Sequence, residues 1–251
     1  MPRDLVDLLW RDHPGAPGGG TRGPRAKVST TQAVRAAVAV ADRDGLDAVT
    51  LRRLAAELEV APNALYTHVG SRDELVVLMA DAVRLGDAPS LPRGTWRARV
   101  AAVAEAELAL LRAHPWLVDV TDQRVALGPG TIATYDAQLH AFDGTGLTDV
   151  ERDAALTFVV DAVRAAARSL RPDPHAPDMQ LAWASAHERL ARYLGDRHAL
   201  AQRVGAAAGA EMGAPWSAEH AWRFALARVL DGLEALVEQA GGLSPRRVPA
   251  R

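Results

Sequence analysis

The chain has 251 residues, 49% of them hydrophobic and only 5% aromatic, with a formal net charge of −2. It holds no Cys, which excludes disulfides, thiolate metal sites and thiol nucleophiles. No run of about eighteen apolar residues is present, so no membrane span is expected. The N-terminus lacks the apolar centre of a secretory signal, so a cytoplasmic location is expected.

Abundant Ala and few β-branched runs favour an all-α fold. Residues 1–28 read as a flexible N-terminal arm, because HPGAPGGGTRGPRAK combines Gly, Pro and scattered positive charge. Arg22, Arg25 and Lys27 are candidates for a groove contact, with a solvated tail as the other reading. Within the arm, Leu5, Leu8, Leu9 and Trp10 suit a short helix. Residues 30–44 predict a helix, with Val34, Ala37, Val38 and Ala41 at helical spacing and Ser29 and Gln32 placed for a capping box. Two short helices follow in TLRRLAAELEVAPNALYTHVG, residues 50–70. Pro62 opens the second and Gly70 closes it. Ser71 and Glu74 cap a helix from Arg72 to about Leu85. After the Pro-rich 87–94, helices are expected at 96–113, in short pieces over 117–125 and 129–142, from the Thr148–Glu151 capping box to Leu170, at 178–194 and at 217–239. The Ala/Gly-rich 195–215 carries no clear expectation. The divisions are the arm, a DNA-binding domain with a connecting helix at 29–86, a helical body at 87–240 and a tail at 241–251.

Three short helices with a tight turn between the last two form a helix-turn-helix pattern, whose second helix enters the DNA major groove. Residues 22–72 hold eight Arg or Lys against five Asp or Glu, a mild excess of three that suits phosphate. The Thr50 N-cap, Leu-Ala-Ala-Glu-Leu at 54–58, Leu-Tyr-Thr-His-Val at 65–69 and Ser-Arg-Asp-Glu-Leu at 71–75 together resemble the tetracycline-repressor family. His114-Pro115-Trp116 and Gly128-Pro129-Gly130 resemble the ligand-binding half of its tetracycline-repressor subgroup.

The resemblance implies a ligand-responsive regulator of transcription, by default a repressor. Leu65 and Val69 must face inward, so Pro62, Asn63 and Ala64 approach base edges, where Asn63 can pair with adenine and Ala64 can meet a thymine methyl. Tyr66 and His68 resemble the family's phosphate clamps, with Thr67 beside them; plain surface residues are the alternative. Thr50 suits a phosphate oxygen, Arg52 stands where the tetracycline repressor reads a guanine, and Arg72 replaces a more usual Lys at the DNA backbone. A homodimer on a near-palindromic operator is expected, with heads roughly 34 Å apart or more. Its interface is expected from Leu156, Val160, Val163 and Ala167 on one helix, and Trp222, Leu226, Val229, Leu233 and Leu236 on another. Both sets repeat at spacings of three and four, which also suits a purely internal core. Effector contacts are expected among Leu85, Trp96, Leu111, Trp116, Tyr135, Leu139, Phe158, Asp161, Arg164 and Trp183. No cofactor or metal is expected: the subgroup's metal-binding His falls near Val125-Ala126-Leu127, where none stands. An apolar or aromatic effector fits better.

Enzyme signatures are incomplete. His187-Glu188 lacks a second His at 191, which is Ala, the Gly-rich arm lacks the P-loop Lys, and no nucleophile elbow is present. A protein-interaction adaptor on the same fold is the remaining alternative, against which the Asn63, Tyr66 and His68 face argues.

Overall fold

The computed structural model describes residues 4–16, 28–86, 90–172, 176–214 and 216–242, and among them the regular structure is helical. Each early helix begins where the sequence supplies a cap. Ser29 and Gln32 close a capping box on α2, Thr30–Asp44. Thr50 accepts the Arg53 N–H at the start of α3, Leu51–Glu57. α4, Pro62–Val69, begins with Pro and ends at Gly70, whose φ is 66°. A side chain on Gly70 would also strike Glu74, whose carboxylate reaches back to the Ser71 N–H in the capping box of α5, Arg72–Ala82. Leu51, Leu54, Ala55, Leu65 and Val69 are buried with Ala33, Val34, Ala37 and Val40, so the three helices share one small core.

One expectation is corrected here: residues 4–16 are folded rather than a free arm. Asp4 caps α1, Leu5–Leu9, whose Leu5, Leu8 and Leu9 are buried. The Trp10 indole N–H then donates to the Leu127 carbonyl at 2.9 Å, and Arg11 reaches the Thr31 hydroxyl at 3.3 Å. Leucine burial outweighs the Gly-rich composition that follows it. Arg22, Arg25 and Lys27 lie outside the described residues, as does the tail from 243.

The body packs α6, Trp96–Ala113, against α8, Asp149–Ser169, and α11, Ala218–Gly242. Between α6 and α8 run 3₁₀ turns at Pro115–Asp119, Gln123–Leu127 and His140–Phe142, and α7, Pro129–Leu139. The Ala/Gly-rich stretch contains a helix, α10, Ala199–Met212, which follows α9, Ala176–Leu194. No helix among the described residues is long and apolar enough to cross a membrane.

The seam residues turn inward. Leu156, Val163, Ala167, Trp222, Val229 and Leu233 are buried within one chain, where α8 meets α6 and α11. Their assignment to a dimer interface is therefore corrected: a side chain already covered has almost no area left to bury against a partner. Val160, Leu226 and Leu236 remain partly open.

Candidate nucleic-acid interface and effector cavity

On α4 the inward positions are Leu65 and Val69, and the helix shows solvent the opposite face. Pro62 and Asn63 are exposed at its N-terminus, Ala64 is half-buried, and Tyr66 is 54% exposed. His68 is half-buried, and its carbonyl accepts the Thr30 hydroxyl at 3.0 Å, tying α4 to α2. The Thr67 side chain lies outside the described residues. Thr50 and Arg52 are exposed on the neighbouring α3. The exposed groups, Thr50, Arg52, Pro62, Asn63 and Tyr66, are open to a phosphate backbone and base edges.

Arg72 has a different place from the one expected. Its Nε donates to the Val49 carbonyl at 2.9 Å and its Nη2 to the Leu46 carbonyl at 3.0 Å. The guanidinium thus braces the loop between α2 and α3 against the start of α5, and we reassign it from phosphate contact to that role. Arg43 and Arg53 are likewise engaged, both with Asp44 and Glu57. The hydrogen bond from Arg43 and then Arg53 hold the Asp44 carboxyl below its usual range.

A cavity of about 730 Å³ opens in the body. α5 contributes Ala80 and Arg84 lies just past its end; Glu107 comes from α6; Thr131, Thr134, Tyr135 and Gln138 come from α7. Leu156, Val160, Asp161 and Arg164 come from α8, and Leu117, Val118, Val120 and Val125 give an apolar wall. Of the expected effector residues, the cavity brings together Tyr135, Asp161 and Arg164. It does not include Leu85, Trp96, Leu111, Trp116, Leu139, Phe158 or Trp183.

Each of these seven has another setting. Leu111 is core, Leu139 packs on the core, and Leu85 and Phe158 face solvent. Trp96 opens α6 with the Arg97 guanidinium 5.8 Å from its ring. Trp183 lies against Gly209 of α10. Trp116 is buried at the junction of head and body: its indole N–H donates to Asp42 of α2 at 2.7 Å, beside His114 Nδ1 at 2.8 Å from the same oxygen.

The polar floor escaped the sequence reading. Arg84 makes a bidentate pair with Glu107, at 2.9 and 2.8 Å, and both are buried. Gln138 adds a longer contact to Glu107 at 3.4 Å. Burial pushes the Glu107 carboxyl up, but the hydrogen bond and charge of Arg84, helped by Arg164, hold it below its ordinary range. The signal was present: Glu107 lies on the apolar stripe of Val100, Val103, Ala104, Leu108 and Leu111, where a charge requires a partner.

The end of α5 is joined to α7 as well. Asp81 is buried and accepts the Thr131 N–H at 2.8 Å, at the positive end of α7. A Cβ on Gly130 would stand 2.3 Å from the Asp81 carbonyl oxygen, and one on Gly128 would stand 2.1 Å from its carboxylate. The Gly-Pro-Gly motif thus lets α7 seat its N-terminus against α5.

A helix-turn-helix head joined by a shared helix to a cavity-bearing body defines a ligand-responsive regulator of transcription. The sequence profile "Bacterial regulatory proteins, tetR family" matches residues 33–79, and "Tetracyclin repressor-like, C-terminal domain" matches residues 88–237. The HTH-type transcriptional repressor DrrR1 of Streptomyces coeruleorubidus is 35% identical over 247 residues, covering 95% of this chain and 88% of that protein. Among solved structures, Streptomyces coelicolor ActR in complex with actinorhodin superposes with a TM-score of 0.67 at 25% identity, covering 86% of this chain and 99% of ActR. BioQ with its natural double-stranded DNA operator matches with a TM-score of 0.50 at 26% identity, covering 57% of this chain and 90% of BioQ. The chain belongs to the tetR family of bacterial regulatory proteins.

Proposed function

We propose that this regulator is a cytoplasmic repressor that binds a near-palindromic operator as a homodimer and releases it when a small molecule fills the body cavity. The observation that carries the reading is the position of α5. It begins just beyond the recognition helix α4 and places Ala80 and Arg84 at the cavity. A ligand that favours one setting of α5 therefore biases the spacing of the heads, which is the differential affinity that coupling requires. The DrrR1 likeness and the ligand-bound ActR and operator-bound BioQ structures support the same reading.

On DNA, Asn63 and Ala64 read bases with Arg52, while Thr50, Tyr66, Thr67 and His68 hold the backbone. The dimer forms through the outward faces of α8 and α11, where Phe158 is 52% and Phe224 59% exposed, together with Val160, Leu226 and Leu236 at the edges. The test is selection of genomic fragments by the purified protein, then footprinting at stated salt. A protected near-palindrome, lost on addition of a compound that raises the melting temperature, is the expected result. Protection of no site at low and moderate salt would overturn the operator reading in favour of an adaptor. For the dimer, Phe158→Asp with Phe224→Asp should halve the mass measured by light scattering.

A further inference from the structure

Resting on the cavity as the effector site, we infer that its ligand is a polycyclic aromatic acid whose carboxylate is received by Arg164. Most other charges around the cavity are already engaged. Arg84 and Glu107 neutralise each other in their bidentate pair, Asp122 pairs with Arg124 at 2.6 Å, and Arg168 donates to the Val118 carbonyl at 3.1 Å. Arg164 is half-buried on α8, lines the cavity, and has no hydrogen-bond or ion-pair partner among the described residues. A guanidinium drawn partly out of water gains most from a planar carboxylate, which accepts two of its N–H groups side by side.

Thr131, on α7, also lines the cavity. Its hydroxyl oxygen is buried without a hydrogen-bond partner among the described residues, and a turn of the side chain toward the cavity would let it donate to a ring carbonyl or accept from a phenol. The apolar side formed by Leu117 and Val160 suits flat rings. Asp161 is the opposing charge, but it is exposed where water screens it, whereas Arg164 lies further in. This ordering turns the acid inward and leaves the neutral rings toward the mouth.

The test is calorimetric titration of the full chain with rhein, aloe-emodin and chrysophanol. These share one dihydroxyanthraquinone core and differ at one position, which carries a carboxyl, a hydroxymethyl or a methyl group. Rhein should bind about tenfold or more tightly than either neutral analogue, as a charge-assisted pair implies. Arg164→Gln should erase that preference and Arg164→Lys should restore part of it. Equal binding of all three compounds, or of none, overturns the acid assignment, as does a rhein preference that survives Arg164→Gln. An aminomethyl analogue binding more tightly than rhein overturns it in favour of Asp161. Thr157→Trp, placed on the cavity lining, separates the two levels of the argument. Rhein binding untouched by it would put the ligand elsewhere and sink the cavity reading itself, whereas equal weakening of three equally bound compounds would sink only the acid.

Discussion

Head and body use charge in opposite ways. In the head, Arg43, Arg53, Asp44 and Glu57 form a network at the surface, where water screens each pair and a lost partner is replaced by solvent. In the body, Arg84 and Glu107 meet inside, with side-chain exposures of 9% and 2%. There, the loss of one partner strands the other. The network trims a folded unit, whereas the buried pair fixes where α5 ends, on the very wall a ligand would touch.

Breaking the pair should therefore have the largest effect. Glu107→Ala leaves Arg84 buried and unpaired, and should cost about 3–5 kcal/mol in urea unfolding. Replacing both, as Arg84→Met with Glu107→Leu, should recover most of that loss. Asp44→Ala in the head should shift the midpoint only slightly. If the two single variants proved equally mild, the contrast between the regions would fail. The pH dependence has a definite sign. Glu107 is held below its usual range when folded, so its contribution is complete above the ordinary Glu range and is lost as pH falls through the lowered value. Stability should decline on acidification, and the decline should be shallower in the double variant.

The seat of α7 on α5 comes next. Gly130→Ala places a methyl group 2.3 Å from the Asp81 carbonyl oxygen, which is backbone and cannot swing away. We expect about 1–3 kcal/mol of destabilisation, together with a weaker response of DNA release to ligand. A variant that unfolds at the wild-type midpoint would show that α7 is free to shift.

DNA contacts sharpen the comparison from the side of the head. Asn63→Ala should cost about 1–3 kcal/mol of discrimination at one or two base pairs, while Tyr66→Ala should weaken all sequences alike. Equal losses on every sequence for both would remove the distinction between base reader and phosphate clamp.

The head was more legible than the body because its determinants are local. Ser29 with Gln32, Thr50, Pro62, Gly70 and Ser71 with Glu74 each act within a few residues, so α2 and α4 begin and end where the sequence places them. The cavity is assembled from groups far apart in the chain, such as Arg84, Glu107 and Arg164, and the seat of α7 from Asp81 and Gly130. Spacing along one helix reveals that Glu107 lies on an apolar stripe, but not which helix supplies its cation. For the same reason, the repeats on α8 and α11 predicted a packing seam without deciding between the same chain and a second one. Trp116 looked like a ligand contact because aromatic residues suit cavities, yet its indole N–H was required at Asp42.

The smallest predicted effect lies in the turn that makes the head a reading unit. Glu59 sits between α3 and α4 with φ at 53°, a conformation that costs a residue with a Cβ roughly 1–2 kcal/mol. Glycine removes that cost but gives the unfolded chain more freedom, so Glu59→Gly should stabilise by only a few tenths to about 1 kcal/mol. The substitution also deletes a negative charge next to the recognition helix, which could tighten DNA binding by itself. Glu59→Gln separates the two causes, because it removes the charge and keeps the strained backbone. Tighter DNA binding in both variants, with a raised midpoint in the glycine variant alone, would assign affinity to charge and stability to the turn. A midpoint unchanged by glycine would mean that the turn is relaxed with Glu in place, and that the head stores no strain where its function lies.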